Sequence, residues 1–395
     1  MYETIAILAA FVFFYSLTSG GLERTPINGA LIFMTFGLAF GPLGLGLLSL
    51  EVDAEGLSTL AEMTLALLLF TDASNANLKD LKLSFHIPQR LLLIGLPLTI
   101  LLGFGTGVLL FDGLTLFEIA ILATMLSPTD AALGKAVVTN ETVPSNIRES
   151  LNVESGLNDG ICVPILFVFI ALAVGTDVQG SSIDLALKLV AKEIGIGLVV
   201  GLGLTALDAW FLKLCWQREW ISDIWVQLPV VALSVSCFTV AQSLHGSGYI
   251  AAFTGGILFG VLIKKSKHKL LHAAEATGET LALVTWIVFG AAVVGQSFAH
   301  FSWQVLLYSV LSLTVIRMLP IYLSLSGMGI NNKDKLFLGW FGPRGLASIV
   351  FAIIVLNENL PGGYTLAMTV VCTVILSVVA HGMTANPLTN TYTDK

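Results

Sequence analysis

The sequence predicts an all-α, polytopic membrane protein with 13 transmembrane helices. Of its 395 residues, 55% are hydrophobic and only 11% are charged, whereas about 25% of the residues of a soluble domain are charged. The mean hydropathy of +0.88 points the same way. Long apolar segments recur along the whole chain. Most of the basic residues lie in every second one of the loops that separate these segments.

Apolar segments of about 17–25 residues can cross a bilayer as helices. Glu3 stands at the start of the first segment and no basic region precedes it, so we expect a span there and not a removed signal peptide. No loop is long enough for a soluble domain, so we expect a single transmembrane domain over residues 1–395, with a short cytoplasmic tail at 387–395. The thirteen predicted spans are 3–18, 27–48, 57–78, 88–111, 114–138, 147–174, 183–211, 222–244, 248–263, 273–297, 302–326, 334–357 and 362–386.

The positions of lysine and arginine predict the orientation. Thirteen spans place the two termini on opposite sides, and cytoplasmic loops carry the excess of basic residues. With the N-terminus outside, 15 of the 19 basic residues become cytoplasmic, two become external, and Arg317 and Arg344 lie within spans. We therefore expect a multi-pass protein of the cell (inner) membrane whose C-terminus is cytoplasmic.

Two spans contain signals for broken helices. Span 5 has Pro128 followed by Asp130, and span 12 has Pro343 followed by Arg344. Proline removes a backbone donor and clashes with the preceding turn, so each helix can break and leave free N–H and C=O groups in mid-membrane. The two spans are seven apart and cross in opposite directions, which predicts two inverted six-helix repeats, spans 1–6 and 8–13.

The stretch NVESGLNDGICVP precedes an apolar run that is too short to span. The run from Ile161 to Val174 would form a helix of about 21 Å, against a hydrocarbon core of about 30 Å. The helix must therefore extend backwards, which draws Glu154, Ser155, Asn158 and Asp159 into the membrane. A turn outside the membrane is the alternative, because Asn, Asp and Gly favour turns.

Residues four apart on a helix share a face. Ser155 and Asp159 offer a hydroxyl and a carboxylate, which are hard oxygen ligands suited to a small cation. Glu154 and Asn158 offer a carboxylate and an amide, which suit an arginine. A single carboxylate such as Asp159 can hold a proton or a monovalent cation, but not favourably both, so a site opened to each side in turn would give obligatory exchange. The neutral Asn158 beside it predicts one proton per cation.

Arg317 and Arg344 stay charged in a protein, so each needs an acid or exposed carbonyl groups nearby. Glu154 is the natural counter-ion for one of them. Arg317 is favoured, because Arg344 stands beside a break whose free carbonyl groups it can serve. A buried ion pair with a structural role alone is the alternative.

Polar residues also accompany the first break and the end of span 3. Asp130 can meet the positive end of the second half-helix, while the Thr129 hydroxyl and the freed carbonyls point into a cavity; simple capping is the alternative for Asp130. Asp72 closes span 3 on the cytoplasmic side, where it can line an ion path or cap the helix. Glu118 lies close to a span end, where we expect it to be solvated or to snorkel towards the membrane surface.

These motifs resemble a known family. LSPTDAALGKAVVTNETVPSNIRESLNVESGLNDGICVPI, from Leu126 to Ile165, is similar to the fifth and sixth helices of the monovalent cation/proton antiporter superfamily, in its electroneutral NhaP-like sodium/proton exchanger branch. LFTDASNANL and FGPRGLAS resemble the third and twelfth helices of that family. The resemblance implies that Asp159 accepts the cation and the proton, and that Ser155, Thr129 and Asp130 help to ligate the ion. It also implies that Asn158 and Glu154 stabilise the crossing of the broken helices together with an arginine. By the same resemblance, Asp72 lines the cytoplasmic approach to the ion.

The resemblance also implies a homodimer that works by an elevator-like motion. Its interface domain would comprise residues 1–87 and 175–300, and its ion-translocating core domain residues 88–174 and 301–386. The third-helix acid is often Glu in the family, whereas Asp72 is one methylene shorter and would reach the ion only through water. The long cytoplasmic tail of eukaryotic members is missing, which favours a compact prokaryotic exchanger.

The expected function is exchange of Na⁺, and of Li⁺, for H⁺ in pH and sodium homeostasis. Potassium/proton antiport at the same ligands is the alternative. A cation channel would need a continuous pore lined by rings of polar groups, and a sodium-coupled solute symporter would need a larger polar pocket, so both are more distant. We expect no enzymatic activity, no cofactor besides the transported ions, no nucleic acid and no soluble partner; membrane lipid and a second copy of the chain are the expected partners.

Overall fold

The computed structural model describes residues 2–22, 25, 28–48, 54–75, 86–130, 133–138, 140–177, 183–222, 225–263 and 267–392, and within them it is helical without strands. Every predicted span coincides with a helix or with two half-helices, which are numbered after the spans. They are α1 (Tyr2–Leu22), α2 (Gly29–Phe40), α3 (Ala54–Asn75), α4 (His86–Leu110), α5a (Leu116–Met125), α5b (Lys135–Val138), α6 (Ser145–Asp177), α7 (Ile183–Gln217), α8 (Leu228–Ser243), α9 (Gly248–Leu262), α10 (Lys267–Val288, continued through Phe298–His300), α11a (Trp303–Leu313), α11b (Val315–Ser324), α12a (Asn332–Trp340), α12b (Leu346–Asn357) and α13 (Gly363–Asn390). The predicted all-α fold is confirmed.

Seven helices of the described chain are long and apolar enough to cross a bilayer, and five more are apolar but only 10–17 residues long. The chain is thus a multi-pass membrane protein, while the number of crossings stays a prediction. The orientation also stays a prediction, because several of the basic residues that define it lie outside the described residues: Arg24, Lys79, Lys82, Lys264, Lys265 and Lys395.

Both predicted breaks are present. α5a ends at Met125 and the chain is non-helical through Asp130, while α12a ends at Trp340 and α12b begins at Leu346. A third interruption lies at Thr314, between α11a and α11b, and the sequence has no proline at this position.

Helix α6 runs without interruption through the polar stretch GLNDG. The alternative of an external turn there is therefore wrong. Pro164 lies inside the same helix, so a proline alone does not break a span.

The helices group into two compact units, of which the first comprises residues 1–59, 87–155 and 282–395. In this unit α2 and α10 touch backbone to backbone. A side chain at Gly37 would overlap the carbonyl of Ile287, and one at Gly290 would overlap the carbonyl of Met34. Small residues at such crossings are a common means of close helix packing in membranes.

The second unit comprises residues 60–86 and 156–281. Here α7 packs closely on α9, because Gly201 leaves room for the carbonyl of Ala251. In the same way Gly256 of α9 lies against the carbonyl of Phe70 on α3. The predicted division into an interface domain and a core domain concerns motion and dimerisation, and it stays a prediction.

Candidate functional site

Arg344 binds the backbone of the break in span 5. The guanidinium is fully buried, and its Nη1 donates to the carbonyl oxygens of Ser127 (2.9 Å) and Pro128 (3.0 Å). Carbonyl groups at the end of a helix carry partial negative charge, so a buried cation is a matched partner for them. The break after α5a is therefore completed by a side chain of span 12.

Asp130, in the break of span 5, binds the backbone of span 12 in turn. Its backbone N–H donates to the carbonyl of Pro343 (2.8 Å), and its Oδ2 accepts a hydrogen bond from the N–H of Leu346, the first residue of α12b (3.1 Å). Its Oδ1 accepts a longer bond from the N–H of Leu133 (3.4 Å). Asp130 thus caps the half-helix of the other broken span, and direct ligation of an ion by Asp130 stays a prediction.

Gly345 makes this capping sterically feasible. A Cβ at Gly345 would overlap the carboxylate of Asp130. We expect Gly345→Ala to push that carboxylate away from the Leu346 amide and to lower the free energy of unfolding by about 1–3 kcal/mol, the typical effect of a buried donor left unsatisfied. The measurement is thermal unfolding of the purified protein in detergent.

Gly203→Ala is the matched control, because a Cβ at Gly203 on α7 meets no atom within 4 Å. This variant should unfold at or above the wild-type temperature, since alanine favours a helix over glycine. A Gly345→Ala variant as stable as Gly203→Ala would show that the Asp130 cap is dispensable.

Glu154 and Arg317 form a buried, bidentate ion pair. Nη1 and Nη2 of Arg317 lie 2.6 and 2.8 Å from the two carboxylate oxygens of Glu154, and each residue is 1% exposed. Gly342 leaves room for the guanidinium, which a side chain there would overlap. This is the pairing that the sequence favours, and it leaves Arg344 to serve the carbonyl groups of span 5.

A small cavity lies beside the two breaks. The Ser155 hydroxyl donates to the carbonyl of Thr129, and both residues are buried. The cavity gives about 10 Å³ to the centre of a water molecule, close to what one water needs. Its polar lining is Thr129, Asp130 and Ser155, and its remaining walls are Gly134, Val137, Val138, Leu151, Phe341 and Pro343.

The polar lining of the cavity consists of oxygen ligands. Hydroxyl, carbonyl and carboxylate oxygens are ligands that hard cations prefer. Among the described residues, no group of three or more His, Cys, Asp or Glu side chains is placed to hold a metal ion.

The other three predicted residues belong to the second unit. Asn158 is buried, while Asp72 and Asp159 are half-buried. α3 passes close to α6 at Asp72, because a Cβ at Gly156 would lie only 3.3 Å from the Cβ of Asp72. The predicted residues thus form two groups, and α6 carries members of both: Glu154 and Ser155 in the first unit, Asn158 and Asp159 in the second.

Glu118 is buried, so its predicted solvation is wrong. It is 2% exposed and forms a capping box with Thr115, and its Oε1 accepts a hydrogen bond from the N–H of Gly362 (2.6 Å). The signal was present in the sequence, because Thr followed three residues later by Glu is typical of a capping box at a helix start.

Two buried serines at the crossing were not predicted. Ser348 donates to the carbonyl of Met125 at the end of α5a (2.8 Å), and Ser377 of α13 accepts a hydrogen bond from the backbone N–H of Arg344 (2.7 Å). A single serine in an apolar helix carries no pattern that separates such a role from ordinary packing.

The sodium/hydrogen exchanger transmembrane family matches residues 7–391. The chain belongs to this family. A K⁺/H⁺ antiporter, NhaP2, of Shewanella sp. (strain ANA-3) is 22% identical to this chain over 95% of the chain and 64% of the relative. A Na⁺/H⁺ antiporter of Schizosaccharomyces pombe is 26% identical over 63% of the chain and 56% of the relative. The chain therefore spans less than two thirds of the length of these curated relatives.

A solved structure shows the same fold. The sodium proton antiporter MjNhaP1 of Methanocaldococcus jannaschii superposes with a TM-score of 0.76 at 20% identity, covering 96% of this chain and 99% of the other. The resemblance to the NhaP-like branch of the antiporter superfamily is confirmed.

Proposed function

We propose that the protein is a secondary active antiporter that exchanges Na⁺, and also Li⁺, for H⁺ across the cell membrane. The observation that carries the proposal is the oxygen-lined cavity beside two broken spans, where the Thr129 carbonyl, the Ser155 hydroxyl and Asp130 meet. Broken helices that free backbone groups at mid-membrane are typical of ion sites in secondary transporters. Membership of the exchanger family supports the same conclusion.

Asp159 is the proposed acceptor of both cation and proton. It follows Ser155 by four residues on the uninterrupted helix α6, so the two side chains lie on one side of that helix. In this proposal a cation or a proton neutralises the charge of Asp159 in turn, and the competition between them couples the two fluxes.

The exchange is electroneutral in this proposal. Asn158 precedes Asp159 and cannot titrate, so one carboxylate carries one proton or one monovalent cation. Asp72 lines the cytoplasmic approach to the ion and acts through water. The proposed mechanism involves no enzymatic reaction and no resident cofactor.

Potassium/proton antiport is the second candidate. It is favoured by the NhaP2 relative, which is named a K⁺/H⁺ antiporter and aligns over 95% of this chain. The same oxygen ligands would accept a larger cation in a wider cavity.

Transport of single cations in proteoliposomes tests the proposal. We expect external Na⁺ or Li⁺ to move protons in the opposite direction, with saturation and without dependence on an imposed membrane potential. The measurement is the fluorescence of an entrapped pH dye after addition of Na⁺, Li⁺ or K⁺.

The other outcomes are distinct. A response to K⁺ alone would establish the second candidate. A flux that does not saturate, or that generates a membrane potential, would indicate a channel. No proton movement with any of the three cations would refute antiport.

The assembly and its orientation complete the proposal. The antiporter would be a homodimer in lipid, with its N-terminus outside and its C-terminus cytoplasmic. It would alternate access by moving the core domain (88–174 and 301–386) against the interface domain (1–87 and 175–300), and would serve pH and sodium homeostasis.

A further inference from the structure

Two side chains of α13 bind the open ends of the break in span 12. The backbone N–H of Arg344 donates to Oγ of Ser377 (2.7 Å). Nε2 of His381 lies 2.8 Å from the carbonyl oxygen of Trp340, the last residue of α12a. Ser377 and His381 are 0% and 1% exposed, so water does not provide these hydrogen bonds.

The donor and the acceptor are those of one missing helical hydrogen bond. In a continuous helix the N–H of a residue donates to the carbonyl four residues earlier, which for Arg344 is Trp340. Here Ser377 and His381 stand between the two groups, and Oγ of Ser377 lies 3.2 Å from Nδ1 of His381. The four groups therefore form a chain from Arg344 through Ser377 and His381 to Trp340.

The contact with Trp340 places a proton on Nε2 of the His381 imidazole. A carbonyl oxygen can only accept, so Nε2 of His381 carries a proton, and Nδ1 of the neutral ring is left as an acceptor. The Ser377 hydroxyl, which accepts from Arg344, is then free to donate to Nδ1. Nδ1 also lies 2.9 Å from the carbonyl oxygen of Ser377, a contact that becomes a hydrogen bond only if Nδ1 is protonated.

The Trp340 ring is held by the same face of α13. Its Nε1 donates to Oγ1 of Thr384 (2.9 Å), and its ring lies against the His381 ring with 5.1 Å between centroids. Positions 377, 381 and 384 recur at the spacing of one helix face. The end of α12a is thus attached to α13 by both backbone and side chain.

We propose that Ser377 and His381 are positioning residues that replace the missing helical bond of span 12 and thereby hold Arg344 against the carbonyl groups of span 5. The chain of hydrogen bonds from Arg344 through Ser377 and His381 to Trp340, called the relay below, is argued from the contacts given above. Its effect on transport rests on the proposed exchange function. Neither residue contacts the ion in this proposal.

The first test is the protonation state of His381, which needs no transport activity. Solid-state NMR of the ¹⁵N-histidine-labelled protein in lipid, compared with His381→Gln to identify the signal among six histidines, reports each ring nitrogen. We expect an unprotonated Nδ1, a protonated Nε2, and a shift of the Nδ1 signal in Ser377→Ala. A protonated Nδ1 would overturn the relay.

The second test is exchange in proteoliposomes, each variant being measured well below its unfolding temperature. His381→Leu and Ser377→Ala should lower the exchange rate about tenfold. Ser377→Ala removes the acceptor of the buried Arg344 amide, and His381→Leu leaves the Trp340 carbonyl with only the turn hydrogen bond from the Gly342 amide (2.8 Å). His381→Gln should restore most of the rate, since its amide can still donate to the Trp340 carbonyl. The control is Thr373→Val, which removes another buried hydroxyl of α13, one that donates to Ser309, and should leave the rate within about twofold of wild type.

Two results would overturn the positioning role: a wild-type rate in both His381→Leu and Ser377→Ala, or a Gln variant as slow as the Leu variant. If His381→Leu does not fold, the comparison of Ser377→Ala with Thr373→Val decides. Absence of exchange in the wild-type protein would refute the proposed function instead, and the NMR result would still decide the relay.

Discussion

Replacing Asp159 by asparagine should reduce cation/proton exchange to the rate of protein-free liposomes while leaving the protein folded. The amide has nearly the shape of the carboxylate, but it neither takes up a proton near neutral pH nor neutralises a bound cation. Since the proposed mechanism has one titrating group, no other residue can take its place. The measurement is the pH-dye assay with Na⁺, Li⁺ and K⁺, together with gel filtration and thermal unfolding.

The matched control is Asp208→Asn. Asp208 is another half-buried aspartate of the second unit, on α7, and is not among the proposed ligands. It should retain the wild-type exchange rate. A wild-type rate in Asp159→Asn would eliminate the single-carboxylate mechanism, and equal loss in both variants would show that the effect is not specific to Asp159.

Removing either partner of the Glu154–Arg317 pair should destabilise the protein by about 3–5 kcal/mol, because it leaves an uncompensated charge in the interior. Glu154→Gln leaves the guanidinium of Arg317 without its counter-ion, and Arg317→Met leaves the carboxylate of Glu154 without its counter-ion. The double variant removes both charges. Its loss of stability should be clearly smaller than the sum of the losses in the two single variants. Thermal unfolding of the four proteins in detergent gives the coupling.

A surface interaction provides the control for this cycle. Glu275 accepts a hydrogen bond from Asn75 at an exposed position (2.6 Å). Glu275→Gln should change stability by less than about 0.5 kcal/mol, as is usual for surface substitutions. Strict additivity in the Glu154 and Arg317 cycle would contradict the importance of the buried pair.

The sequence predicted local features of the fold well. Proline acts on its own turn of helix, so Pro128 and Pro343 located both breaks. The length of the apolar run after Ile161 located the polar part of α6 within a helix. The interruption at Thr314 was missed, since a threonine in an apolar run does not predict the non-helical backbone conformation found there (φ −110°, ψ −94°).

The partners of the charged residues were harder to predict. Glu154 had two candidate arginines, and only the fold shows that Arg317 is within reach. Asp130 was expected to meet the half-helix of its own span, whereas it caps α12b, which lies 216 residues further along the chain. Such contacts depend on how distant spans cross, which residue spacing does not reveal.

The charges around the two breaks bear on leakage. Glu154 and Arg317 form a buried ion pair, and Arg344 and Asp130 carry one charge of each sign, so these four residues together carry no net charge. Moving an unneutralised charge through hydrocarbon is strongly unfavourable, and in the proposed mechanism Asp159 is ionised whenever it holds neither a proton nor a cation. We therefore expect the unloaded carrier to stay on one side of the membrane, so that slippage without a returning proton does not dissipate the cation gradient.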